Sequence, residues 1–140
     1  MGRILSKIRN RLADIFGEGQ YEFVDGDRYE EEYTRLRSTF PVPGAAVRSP
    51  EPVIEEDLSD EPTEALVERL RSLPVPKDVV VTVLWPYDRI GARLELQRVI
   101  DALDDLWYPG ADDIWITDSS HTWLVLIDHE EHLAFYNRRR

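Results

Sequence analysis

Three strand-like runs lie so close together near the end of this chain that only one arrangement is open to them. They read DIWITD (113–118), WLVLID (123–128) and HLAFY (132–136). Loops of about four and three residues are too short for a parallel crossover, so the runs must form an antiparallel meander. The second bend, DHEEH (128–132), gathers two histidines, two glutamates and an aspartate. A zinc-peptidase helix needs His-Glu-x-x-His, with the second histidine four positions after the first. That position is Leu133 here, and both flanks have strand character. The polar cluster therefore reads as a hairpin tip, and no metal site is assigned. His121 lies at the other end of the middle strand, too far away to join the pair.

Upstream, DVVVTVLWPY (78–87) reads as a strand buried on both faces, with a β-branched run bounded by prolines. Gly91 to Leu106 carries a helical pattern, with Leu96, Val99, Ile100, Leu103 and Leu106 along one side. A shorter helix is expected near 63–73, presenting Ala65, Leu66, Leu70 and Leu73, with Pro62 in its first turn and Pro74 and Pro76 ending it. The expected fold is α+β: a four-stranded mixed sheet across 78–136 with two packed helices. Its first two strands run parallel, joined by the long helix in a right-handed crossover.

The first 60 residues read differently. MGRILSKIRNRLADIF places Ile4, Leu5, Ile8, Leu12, Ile15 and Phe16 at helical spacing, with Arg3, Lys7, Arg9 and Arg11 opposite. Residues 41–62 hold five of the nine prolines. The organisation expected is a basic amphipathic helix (1–17), an acidic Pro-rich linker (18–61) that admits a helix over 27–37, and an α+β domain (62–140).

Charge sharpens this division. Residues 14–64 carry 15 acidic and 4 basic side chains, a net of −11, while the remainder carries 13 of each. Such a segment repels nucleic acid and attracts basic partners. Three arginines at 138–140 do not offset it. The absence of cysteine excludes disulfides and zinc–thiolate sites. No run approaches the ~20 apolar residues of a membrane-spanning helix, and the N-terminus lacks a secretory pattern, so a cytoplasmic location is expected.

Catalytic signatures are missing. Ser119, Ser120 and His121 are adjacent, but there is no Gly-x-Ser-x-Gly elbow, phosphate loop or dinucleotide fingerprint. Carboxylates at Asp104, Asp105, Asp112, Asp113 and Asp118 have no lysine beside them, because Lys7 and Lys77 are the only two. No catalytic residue and no cofactor is assigned, and an enzyme built on Asp113, Asp118 and a histidine ranks third. The four tryptophans, at 85, 107, 115 and 123, suggest something else. Trp115 alternates against Ile114 and Ile116, and Trp123 against Leu124, so both sheet faces are apolar. Trp115 and Trp123, rimmed by Asp112, Asp113 and Asp118, are the expected partner-binding surface, since aromatic anchors dominate interface energetics.

The stretch DDLWYPGADDIWITDSSHTWLVLIDHEEHLAFY (104–136) resembles small bacterial immunity-type proteins, in which a Trp-Tyr-Pro…Asp-Asp turn leads into strands ending in an Ile-Asp-His-Glu hairpin. The resemblance implies a small cytoplasmic protein that binds and blocks a toxin, and it brings no catalytic residues. Acidic charge suits a basic toxin as the partner. Residues 1–16 resemble the N-terminal helix of Arf-type GTPases, and MGRILS matches an acylation pattern at Gly2. That likeness implies a second reading, a membrane-peripheral adaptor that contacts a membrane surface through this helix.

Overall fold

A computed structural model of the chain describes residues 3–17 and 19–138, with side chains from residue 7 onward. Gly2, the side chains of Ile4 and Leu5, and Arg139 and Arg140 lie outside the described residues. The elements are α1 (Arg3–Ile15), β1 (Glu22–Val24), α2 (Gly26–Thr39), β2 (Ile54–Asp57), α3 (Thr63–Ser72), β3 (Val80–Trp85), β4 (Ile90–Glu95), α4 (Leu96–Asp101), α5 (Leu103–Leu106), β5 (Ile114–Asp118), β6 (Trp123–Ile127) and β7 (His132–Asn137).

The fold is α+β, built on one seven-stranded sheet in the order β1-β4-β3-β5-β6-β7-β2. Every neighbouring pair is antiparallel. The β5-β6-β7 meander forms as its short loops require, and residues 128–131 are the bend between β6 and β7. The helix expected near 63–73 is α3, which ends at Ser72, and the helix that the linker reading admits over 27–37 lies within α2.

Three expectations are corrected. The sheet has seven strands rather than four and is not mixed. The helix expected over 91–106 begins as β4, a hairpin partner of β3, and turns helical only at Leu96. Its start is a strand because Ile90, Ala92 and Leu94 alternate into the core, while a bend over 86–89 reverses the chain. Gly91 belongs to that strand for a steric reason: a Cβ there would stand 2.6 Å from both the Val83 carbonyl oxygen and Leu84 Cδ2. The third correction concerns residues 18–61. They supply both outer strands, β1 against β4 and β2 against β7, and the whole of α2. Strands this short gain order from the neighbour that satisfies their backbone groups.

Each face of the sheet has its own core. On the first, Val81, Val83, Trp85, Ile116, Val125 and Phe135 meet α1, α3, α4 and α5. Ile8 and Leu12 of α1 are fully buried there, and Ile15 and Phe16 pack against the cluster. On the second face, Leu84, Trp115, Leu124 and Tyr136 meet Tyr29 and Leu36 of α2 and Phe40 just after it. Tyr29 and Tyr33, one helical turn apart, stack with Trp115: ring centroids are 5.6 Å apart for Tyr29–Tyr33 and 5.2 Å for Tyr33–Trp115.

The two faces are unequally covered. Seven strands about 4.8 Å apart span roughly 29 Å, whereas one helix is about 10 Å wide. Among the described residues, four helices lie on the first face and α2 alone on the second, so part of the second face stays open.

Candidate partner-binding cleft

The uncovered part of the second face is a cleft of about 490 Å³ between the segment after α2 and the β2 edge. Pro41, Val42 and Pro43 form one wall, and Trp115, Leu126, Ala134 and Tyr136 form the floor. Strand register builds its rim. Ile114 pairs with Ile127, and Ile127 with Leu133. One position further along each strand, Asp113, Asp128 and His132 therefore fall into a single cross-strand row, and the Asp57–His132 pair extends it to β2. Glu55, opposite Ala134, lies on the same face as Asp57 because strand side chains alternate.

The rim is anionic. Glu55, Asp57, Asp113 and Asp128 line the cleft with His132, and among the described residues no lysine or arginine lines it. Glu56 also borders it, but is held by Arg69. His132 sits between two acids, with Nε2 3.5 Å from Asp57 and Nδ1 3.5 Å from Asp128. Hydrogen bonds from Ser59, and next the charge of His132, hold the Asp57 carboxyl below its ordinary range. Burial, and then the charge of Glu55, push the Tyr136 hydroxyl up.

The bend itself is ordered by Asp128, whose Oδ1 accepts the N–H groups of Glu130 (2.9 Å) and His132 (3.0 Å). Asp113 Oδ1 accepts both the backbone N–H of His129 (2.7 Å) and its ring Nδ1–H (2.9 Å). That ring bond, with the charge of Asp113, raises the pKa of His129. The two histidines thus point to different carboxylates. Among the described residues, Asp128, Glu130 and His132 bring ligand atoms within 4.8 Å of one another. The group is largely exposed, and Asp128 already serves the turn. Its chemistry suits a cation of any kind, an ammonium or guanidinium included.

Of the residues expected at the partner surface, only Trp115 and Asp113 line this cleft. Trp123 faces the opposite core, where its ring packs 6.4 Å from Phe135 and its Nε1–H donates to Asp118 at 3.0 Å. The loop between β5 and β6 sets the two tryptophans out of phase, so they cannot share a surface. Trp115 is 5% exposed beneath Tyr33, and Trp123 is 2% exposed. Both are mainly core. Asp118 is at the other end of β5; burial pushes its carboxyl up, but hydrogen bonds from Ser120, Trp123 and His121 N–H outweigh that and lower it.

Asp112 is buried, not rim. Its Oδ2 receives Arg11 at 2.8 Å and the Tyr108 N–H at 2.8 Å, while the Arg11 guanidinium lies 4.0 Å from the centre of the Tyr108 ring. This ties α1 to the turn before β5. The apolar side of α1 is used in the same way, since Ile8 and Leu12 lie in the core and face no outer surface.

The Ser119-Ser120-His121 run does not become a nucleophile–base pair. The Ser120 hydroxyl is engaged by Asp118 and Thr122, and the His121 ring by the Ser119 carbonyl and Glu32. The cleft was hidden in the sequence because its rim needs β2 beside β7, a pairing about 75 residues apart. Among the described residues, no helix is long and apolar enough to cross a membrane. No protein-family model and no curated protein matches the chain.

Proposed function

We propose that this chain is a non-catalytic protein-binding module that holds a basic partner, in the manner of an immunity-type inhibitor. The observation that carries the reading is the row Asp113–Asp128–His132–Asp57, with Glu55 beside it, above an apolar floor and, among the described residues, without a lysine or arginine. Carboxylates set side by side repel one another, and a lysine- or arginine-rich segment relieves that repulsion as it docks. A formal charge of −11 adds long-range steering toward such a partner. The floor of Trp115, Leu126, Ala134 and Tyr136 gives the aliphatic stems of those side chains an apolar bed.

Anisotropy titration of the full chain with labelled lysine- and arginine-rich peptides tests the site. Basic peptides should bind, an acidic control should not, and Asp57→Asn/Asp113→Asn/Asp128→Asn should weaken binding about tenfold or more while the circular dichroism spectrum is kept. Undiminished binding by that variant, or equal binding of the acidic control, overturns the site. The inhibitor role is tested by growth rescue, with the chain coexpressed with the product of the gene immediately upstream of its own. Rescue should be lost in the triple variant.

A further inference from the structure

We infer that the partner segment binds extended along β2 as an eighth strand of the sheet, its cationic side chains reaching over the edge into the acidic cleft. This rests on the reading above and specifies its geometry. β2 ends the sheet and is paired on one side only, by β7. Leu58 N–H reaches the Glu131 carbonyl at 3.0 Å. By two-residue alternation Glu56 and Ile54 also face β7, which turns the backbone groups of Glu55 and Asp57 outward. Both residues are exposed, and their side chains stand on the cleft face. A strand added at this edge therefore meets backbone donors and acceptors and two carboxylates together, with alternate side chains over the cleft.

Charge selects the occupant. A second copy of the chain pairing through the same edge would bring Glu55 and Asp57 against Glu55 and Asp57, and like charges set opposite each other across a ladder are unfavourable. A strand alternating lysine or arginine with apolar residues reverses the sign of that contact. The opposite edge offers less: β1 has three residues, and Arg9 of α1 lies over its Phe23 ring.

Amide hydrogen exchange, read by NMR on the full chain, tests this. The probe is an acetylated and amidated peptide alternating lysine with valine. Its addition should slow exchange at the Glu55 and Asp57 amides about tenfold or more. Methylating alternate peptide nitrogens in the pairing register should abolish that protection and weaken binding about tenfold. If the peptide binds but both amides exchange as fast as before, the strand geometry is wrong and the basic-partner reading stands. If no basic peptide binds, both fall. Protection that appears without peptide and grows with protein concentration assigns the edge to a second copy and overturns the inference.

Discussion

Arg11 and Asp112 stand 101 positions apart, yet their side chains meet at 2.8 Å with almost no solvent around either. Removing one partner of such a pair leaves the other charged and buried, at a cost of about 3–5 kcal/mol. Arg11→Ala should lose that much in urea unfolding, a large share of the roughly 5–15 kcal/mol total stability of a domain. A loss below about 1 kcal/mol, the range of exposed pairs, would show the pair to be solvated.

Leu12 gives an independent measure of how firmly α1 belongs to the core. It is fully buried, and truncating such a leucine costs about 2–5 kcal/mol. Leu12→Ala should therefore destabilise strongly, whereas Asn10→Ala, on the exposed side of the same helix, should change stability by no more than about 0.5 kcal/mol. Equal effects of the two substitutions in chemical denaturation would mean that α1 is not packed on the sheet.

Gly91→Ala places a methyl 2.6 Å from the Val83 carbonyl oxygen, which lies on the paired strand and cannot move without disturbing the ladder. Overpacking of this kind costs about 1–3 kcal/mol. The expected result is a lower denaturation midpoint with an unchanged slope. A neutral substitution would count against the β3–β4 register.

His129 supplies a pH signature. Its hydrogen bond to Asp113, and next the charge of that carboxylate, raise its pKa above the ordinary 6.5. A raised folded-state pKa gives stability that is fully present below about 6.5, the unfolded value, and is lost as pH rises through the folded value. An NMR titration of the His129 ring should give a pKa above 6.5, returning toward it in Asp113→Asn. An unshifted His129, or a shift that persists in the variant, would remove Asp113 as the cause.

What was legible in the sequence is what local forces decide. The meander follows from loops too short for any other path and α3 from helical periodicity, whereas the thin apolar stripe over 27–37 only admits α2. The bend before β4 carries no glycine signal, because Arg89 takes the left-handed conformation there, with φ of 56°. β1 and β2 are illegible because strands of three and four residues are too short to carry a hydrophobic period of their own. Their order comes from β4 and β7, which lie far along the chain. The candidate cleft is half visible: the sequence points to Asp113, whereas Asp57 and Glu55 read as linker, and only register brings them beside His132. Trp115 and Trp123 show the limit of alternation, which gives each strand its two faces but not the phase between strands.

The position of β2 also governs how the molecule is born. Residues 54–57 leave the ribosome long before residues 132–137, and until those are made the earlier strand has no neighbour to receive its amides. The partner of β2 arrives only with the β6–β7 hairpin, which closes this edge of the sheet. A chain cut anywhere before residue 132 lacks the strand against which β2 is fastened.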